Sequence, residues 1–148
     1  MLLPLFIFVC LPAFCADQTE EKSVIAVVQK FFDSMAAHDP EANRAVSIPE
    51  GRVIGVAQNR TTNISQEEFA AHLGATKAAY LERMWNPKVL IHGSIANVWA
   101  DYDFHLDGKF THCGIDSFSL VKSGGAWKVA GIVYTVETTG CPPSPLDK

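Results

Sequence analysis

Hydrophobic and polar positions alternate along residues 96–136 in a way that predicts three β-strands joined by two tight hairpins. The turns are centred on Asp107-Gly108 and on Gly124-Gly125. These residues accept the positive φ angles that two-residue hairpin turns require. Because short turns fix which residues face each other, they also predict which side chains share a face of the sheet.

Upstream, apolar residues recur every three to four positions in two stretches, which predicts amphipathic helices. The first covers residues 19–37. After it, Asp39-Pro40 has the pattern of an N-cap followed by a proline in the first turn, and predicts a short second helix to about Val46. Ser65-Gln66-Glu67-Glu68 has the pattern of a capping box and predicts a long third helix to about Met84.

The remaining segments complete the predicted order of elements. Residues 52–57 and 88–92 are predicted strands, and residues 58–64 are a predicted polar loop. The order is therefore helix, short helix, strand, long helix and four strands. This order is typical of an α+β domain, in which helices cover one face of a mostly antiparallel sheet.

A register without bulges, counted from the two turns, pairs Asp103 with His112 and Trp99 with Asp116. The predicted inner face then combines bulky apolar and ionisable side chains, which indicates a helix-covered pocket. Its members are Trp99, Asp101, Asp103, His105, His112, Asp116, Phe118, Leu120, Trp127, Val129 and Val133. The predicted outer face is apolar and mostly small-sided, and we expect it to form a twofold homodimer. Its members are Ala96, Val98, Ala100, Tyr102, Phe104, Cys113, Ile115, Ser117, Ser119, Ala130, Ile132 and Tyr134.

Length and charge narrow the class of protein. The chain has 148 residues and a net charge of −4 with no basic run, which argues against a nucleic-acid partner. Residues 1–16 are almost wholly apolar and predict a secretory signal peptide, hence a secreted or periplasmic protein. We expect one domain over residues 17–141 and a disordered tail over residues 142–148. The sequence contains no second apolar span, so we expect no membrane partner once the signal is removed.

Two cysteines and two asparagines add further possibilities. Cys113 and Cys141 lie outside the predicted signal and either form a disulfide or remain separate thiols. Asn59 and Asn63 begin glycosylation sequons, which matter only in a eukaryotic secretory pathway. No Cys/His spacing, phosphate-binding loop or hydrolase motif is visible, so the sequence predicts neither a metal nor a cofactor.

Several segments resemble the nuclear transport factor 2-like superfamily, over about residues 22–141. They are the amphipathic first helix, Ala-His-Asp-Pro-Glu-Ala at 37–42, the helix after Ser65, and residues 96–104. Residues 112–122 followed by 125–129 are similar to a subgroup labelled putative lumazine-binding, which is close to polyketide cyclase-like domains. The resemblance implies a curved sheet wrapped around helices as a cone with an internal pocket. The superfamily contains isomerases, cyclases, dehydratases, transport factors and binders without activity.

Within that pocket, Asp116 is the main candidate for chemistry. Between apolar neighbours its pKa would rise, which suits a general base or a neutral hydrogen-bond donor; the alternative is a structural aspartate. Asp103 and His112 are expected to form an acid–base dyad or, alternatively, an exposed ion pair. The resemblance to isomerases of this superfamily would imply a tyrosine in the first helix that holds an oxyanion, but this helix contains no tyrosine. The expected ligand-binding residues are Phe32, Tyr80, Trp85, Trp99, Asp101 and Phe118.

Three functions stay open at this point. The first is an exported protein that binds a small apolar organic ligand. The second is an isomerase, dehydratase or cyclase that moves a proton with Asp116 or with Asp103 and His112. The third is a protein–protein interaction module built on the outer sheet face. The sequence does not decide whether the protein is an enzyme.

Overall fold

The computed structural model describes residues 12–147, with side chains described from residue 18 onward. Most of the predicted signal peptide, residues 1–11, lies outside the described residues. The chain contains three helices and six strands over the described part. They are α1 (Pro12–Ala36), α2 (Pro40–Val46), β1 (Ser47–Ala57), β2 (Arg60–Ser65), α3 (Gln66–Ala75), β3 (Tyr80–His92), β4 (Ile95–Leu106), β5 (Lys109–Ser123) and β6 (Ala126–Val136).

One six-stranded sheet, in the order β2-β1-β6-β5-β4-β3, carries all the strands. Neighbours are antiparallel except β1 and β6, which are parallel. The sheet is curved and open, and the helices lie on its inner face, which confirms the predicted α+β class. No helix within residues 12–147 has the length and apolar character needed to cross a membrane.

The predicted starts of α2 and α3 are confirmed in atomic detail, whereas α1 begins at Pro12 and not at residue 19. The Asp39 side chain accepts a hydrogen bond from the backbone N–H of Ala42 at 2.9 Å, which caps α2. At the start of α3, the Glu68 N–H donates to Ser65 Oγ at 3.1 Å and the Ser65 N–H donates to Glu68 Oε2 at 2.7 Å. Both arms of the capping box are therefore present.

The predicted length of the third helix is wrong. It ends at Ala75, and the residues expected to continue it form β3 instead. Tyr80, Glu82 and Met84 fit a helical stripe only loosely, but they also fit an alternation of two. Pairing with β4 at eleven of the thirteen residues of β3 favours the strand. Asn86-Pro87, expected to stop the helix, lies at an irregularity of β3. Residues 60–64 of the predicted loop belong to β2, which ends at the capping residue Ser65.

Both hairpin turns form where predicted, but the register beyond them does not hold. Leu106 pairs with Lys109 and Lys122 pairs with Trp127, as expected. A β-bulge in the first hairpin then skips Thr111, since His105 pairs with Phe110 and Phe104 pairs with His112. A second bulge, between Ser119 and Leu120 of β5, skips one residue of β6. An extra unpaired residue shifts the register by one. Beyond the bulge, the side chains of one of the two paired strands therefore lie on the face opposite to the predicted one.

The bulges change the composition of both faces. Asp116 pairs with Ala100 and Tyr134, not with Trp99 and Val133, so Trp99 and Asp116 lie on opposite sides of the sheet. The even-numbered residues of β4, predicted to lie outside, face the helices. The buried core on that inner side includes Val24, Val28, Phe31, Phe32, Leu73, Ala96, Val98, Phe118, Leu120, Trp127, Val129 and Ile132.

The segment after β6 returns to the outer face of the sheet. A disulfide joins Cys113 to Cys141, with 5.9 Å between the Cα atoms. Residues 142–147, for which the sequence predicts disorder, contain no helix or strand. Asp147 lies 2.8 Å from the Arg83 guanidinium on β3. The chain end is thus attached to the outer face at two points.

Candidate functional site

A cavity of about 210 Å³ lies between the inner face of the sheet and helices α1 and α3. Its walls are mostly aromatic or aliphatic, with a few polar groups at defined places. The lining residues are Phe31, Met35, Val53, Phe69, Tyr80, Glu82, Tyr102, Phe104, His112, Asp116, Phe118, Ile132 and Tyr134. A mainly apolar cavity with few polar groups is typical of small-molecule sites.

The helices supply one aromatic wall of this cavity. Phe31 and Met35 are one turn apart on α1, so they face the sheet together. Phe69 follows the capping box of α3, and its ring is stacked on that of Phe31 with the centroids 5.4 Å apart. The Phe118 ring of β5 meets Phe31 edge-on at 5.8 Å. Such aromatic packing gives the cavity flat, rigid walls.

Two carboxyl groups meet on the inner face of the sheet. Glu82 of β3 and Asp116 of β5 both line the cavity and share a hydrogen bond. Burial raises the pKa of Glu82 well above its usual value, and the negative charge of Asp116 raises that pKa further. Burial also raises the pKa of Asp116, and the hydrogen bond from Glu82 opposes this rise. Glu82 therefore holds the proton and donates it to the Asp116 carboxylate.

Asp116 is the more deeply buried of the two. Its residue exposure is 1%, and Oδ2 has no donor within the described residues other than the carboxyl of Glu82. A carboxylate offers sites for about four hydrogen bonds. Since Asp116 receives only the one from Glu82, most of its accepting capacity is unused.

The other polar groups of the cavity are uncharged. Burial lowers the pKa of His112, whose Nδ1 lies 2.8 Å from Thr111 Oγ1, so the imidazole is neutral at pH 7. The Tyr102 hydroxyl donates to the backbone oxygen of Thr135 at 2.6 Å. Burial raises the pKa of Tyr102 and of Tyr134, so both phenols keep their protons.

A glycine makes room for one of these tyrosines. A Cβ on Gly55 of β1 would lie 2.6 Å from the Tyr134 hydroxyl oxygen. Because Gly55 has no side chain, the Tyr134 ring can lie across the neighbouring strand and close that end of the cavity.

The structure brings together only part of the predicted site. Asp116, His112, Tyr80 and Phe118 line the cavity. Phe32 is buried behind it, with its ring 5.7 Å from that of Phe118.

The other predicted ligand-binding residues lie on the outer face of the sheet. Trp99 is 53% exposed and pairs with Lys88 and Ser117. Trp85 pairs with Asp101, whose carboxylate accepts a hydrogen bond from the Asn86 side chain at 3.3 Å. The placement of Trp99 and Asp101 inside the pocket was wrong because the bulge at Thr111 reverses the faces of β4. The placement of Trp85 was wrong because it lies on β3 and not at the end of a helix.

The predicted dyad of Asp103 and His112 is also wrong, for the same reason. The two side chains lie on opposite faces, since His112 pairs with Phe104. Asp103 instead forms a two-point ion pair with Arg83 on the outer face, with Nε–Oδ1 and Nη2–Oδ2 distances of 2.8 and 2.6 Å. Its second neighbour is His105 at 3.5 Å.

Glu82 was not among the predicted site residues because it lay in the predicted helix. The alternation Tyr80, Glu82, Met84 was the available signal, since it places all three residues on one face of a strand. Tyr102, Phe104 and Tyr134 were assigned to the wrong face, and Phe31, Met35 and Phe69 were not predicted as cavity residues. Within residues 12–147, no group of His, Cys, Asp and Glu has an arrangement that could hold a metal ion.

Comparison with known proteins identifies relatives of this fold. A family model described as putative lumazine-binding matches residues 19–135. The structure is similar to an NTF-2 like protein of unknown function from Silicibacter pomeroyi. The sequence identity is 16% and the TM-score 0.64, over 82% of this chain and 98% of that chain. No curated protein matches the sequence.

Two further similar structures carry names that indicate dehydratases. One is a putative scytalone dehydratase from Novosphingobium aromaticivorans, with 13% identity and a TM-score of 0.68 over 88% of this chain and 99% of that one. The other is a putative dehydratase of the NTF2-like family from Streptomyces avermitilis, with 14% identity and a TM-score of 0.66 over 81% and 97%. At these identities the similarity establishes a common fold and leaves the chemistry to the site itself.

Proposed function

Since the chain belongs to the putative lumazine-binding family within the nuclear transport factor 2-like superfamily, we propose that it binds a small, largely apolar organic molecule. The observation that carries this proposal is the cavity of about 210 Å³, which has mainly aromatic walls and contains a carboxyl pair. Drug-sized ligands occupy pockets of about 300–1,000 Å³, so a molecule of one or two rings fits this volume better. Lumazine, a flat bicyclic heterocycle named in the family description, is one ligand of that size.

Binding of a plain ring system tests the proposal. We expect benzofuran to bind saturably and to shift the methyl NMR signals of Met35 and Ile132, which line the cavity. Ile132→Phe should abolish these shifts by filling the cavity. Val133→Phe is the matched control, because Val133 is the next residue on β6, is 46% exposed and lies on the outer face. Unchanged methyl signals in the wild-type protein with benzofuran and also with its N–H analogue indole would reject a binding function for this cavity.

A proton-transfer enzyme on the same scaffold is the second candidate, and the carboxyl pair favours it. A carboxylate with a raised pKa beside a protonated carboxylic acid is a suitable base and acid for moving a proton at neutral pH. Asp116 would take the proton, and Asp103 would have no part because it lies on the other face. Exchange of the α-hydrogens of 2-tetralone in D₂O, faster with wild type than with Asp116→Asn, would favour the enzyme over the binder.

Export and dimer formation belong to the same proposal. The apolar residues 1–16 and the Cys113–Cys141 disulfide support an oxidising compartment. The outer face carries exposed apolar side chains that support contact with a second copy: Leu90, Ile95, Trp99 and Val133. Beside Trp99 runs a groove floored by Ser117, so the indole of one copy has a shallow site to occupy on the other.

Native mass spectrometry of the protein from its own host tests both points. We expect a dimer of chains that lack the first 16 residues or so and retain one disulfide. Trp99→Lys should convert the dimer to a monomer, because it places charge at the centre of the apolar contact. Phe110→Lys is the control, since Phe110 is equally exposed at 49% but lies at the tip of the first hairpin. A monomeric wild-type protein would leave the outer face to a different partner.

A further inference from the structure

Among the described residues that line the cavity, the Asp116 carboxyl is the group that ionises near neutral pH, because burial raises its pKa to about 7, and the protein gives it few hydrogen-bond donors. Asp116 is 99% buried, and within residues 12–147 Glu82 is the only group that donates a hydrogen bond to its carboxyl. A buried carboxylate oxygen without a donor is rare, because the charge has lost its water without gaining a replacement.

The nearby polar groups of the protein are already engaged elsewhere. The Tyr102 hydroxyl donates to Thr135, and Nδ1 of His112 is engaged with Thr111. The Tyr134 hydroxyl oxygen accepts a hydrogen bond from the side chain of Thr62 on β2. None of these groups is hydrogen-bonded to Asp116. A further donor to the Asp116 carboxylate therefore has to come from a molecule inside the cavity.

The remaining walls restrict the shape and charge of that donor. Phe31 and Phe69 are stacked with an angle of 12° between their rings, and further rings of Tyr80, Phe104 and Phe118 complete the enclosure. Flat walls favour a planar molecule. The lining residues include no Lys or Arg. An anion would therefore enter beside a negative charge with no cation to offset it.

We infer that the cavity selects a neutral, planar molecule that donates an N–H or O–H hydrogen bond to the carboxylate of Asp116. This inference rests on the proposed function and adds the chemical class of the ligand. Phenols and heterocyclic lactams or azoles belong to this class, whereas carboxylates, sulfonates and phosphates do not.

Indole and benzofuran test the hydrogen bond directly, because they have nearly the same shape and differ in one N–H that is replaced by oxygen. We expect indole to bind the wild-type protein about tenfold or more tightly than benzofuran, since hydrogen bonds to charged acceptors are the strong ones. Methyl shifts of Met35 and Ile132 report both affinities. Asp116→Asn should remove the preference, because Asn accepts the Glu82 proton and presents N–H to the cavity. Asp101→Asn, on the outer face of β4, should keep it.

A second comparison needs no variant and remains valid if Asp116→Asn does not fold. Indole-2-carboxamide and indole-2-carboxylate have similar shapes, and only the second is an anion. We expect the carboxylate to bind about tenfold or more weakly than the carboxamide.

The possible results separate the two proposals. Equal affinities of the wild-type protein for indole and benzofuran, or a preference for the carboxylate, would overturn the inference and leave the cavity a general apolar binder. Absence of binding by every one of these rings would reject the proposed function, and this inference with it.

Discussion

Replacement of Arg83 by methionine is expected to lower the free energy of unfolding by about 3–5 kcal/mol. Asp103 has a side-chain exposure of only 3%, and both of its oxygens bond to the Arg83 guanidinium. Burial alone would raise the pKa of Asp103, but the hydrogen bonds from Arg83 hold that pKa below its ordinary value. Methionine keeps most of the aliphatic packing of arginine and leaves the carboxylate buried without a cation.

Urea denaturation followed by far-UV circular dichroism measures this loss. The matched control is Asp147→Asn, which removes the other carboxylate in contact with the same guanidinium. Asp147 has a side-chain exposure of 63%, so its loss should cost under about 1 kcal/mol. Similar, small losses for Arg83→Met and Asp147→Asn would mean that Asp103 is not held as a buried charge.

The second large effect concerns the carboxyl pair of the cavity and depends on pH. Relative to the double variant Glu82→Gln/Asp116→Asn, the wild-type protein should lose stability as pH rises from about 5 to 8. Both folded-state pKa values are raised above the ordinary values of 4.5 and 3.8 by burial. Between the ordinary and the raised pKa, the folded protein holds protons that the unfolded chain has released. The contribution of each group to stability is therefore complete below its ordinary pKa and is lost as pH rises.

Each group contributes a slope of about 1.4 kcal/mol per pH unit between its ordinary and its raised pKa, so the contribution of Asp116 ends near its raised pKa of about 7. The amides of the double variant can still form one hydrogen bond with each other, and neither ionises. His112 acts in the opposite direction, since burial lowers its pKa, but it is present in both proteins and cancels in the difference.

Thermal and urea unfolding at several pH values between about 5 and 8 measure the difference. Asp101→Asn serves as the control, because it removes a carboxyl group from the opposite face of the sheet and should give a curve parallel to wild type. Parallel curves for the wild-type protein and the double variant would mean that the pair does not retain a proton in the folded state.

Local signals predicted local structure well in this chain. The caps at Asp39 and Ser65 and the two hairpin turns depend on residues within four positions of each other. Their chemistry is therefore visible in the sequence. The inward direction of Asp116 and Phe118 on β5 was also predicted correctly, because the errors of register fell on the neighbouring strands.

The bulge at Thr111 shows why the site was predicted only in part. A bulge adds one unpaired residue and carries no reliable residue signature, yet it reverses every side chain of β4 beyond it. Because of Thr111, Asp101 and Asp103 lie on the outer face of the sheet, and Asp116 is the predicted acidic residue that remains in the cavity. Glu82 was harder to predict than Asp116, because its side-chain direction is defined only when residues 80–92 pair with β4 as a strand.

The parallel pairing of β1 with β6 has a consequence for how the molecule is made. These strands are neighbours in the sheet but lie at opposite ends of the domain's sequence. During synthesis, the hairpin of β1 and β2 emerges from the ribosome long before its partner strand exists. The sheet is therefore completed only when residues 126–136 arrive, and until then the nascent chain exposes unpaired strand edges.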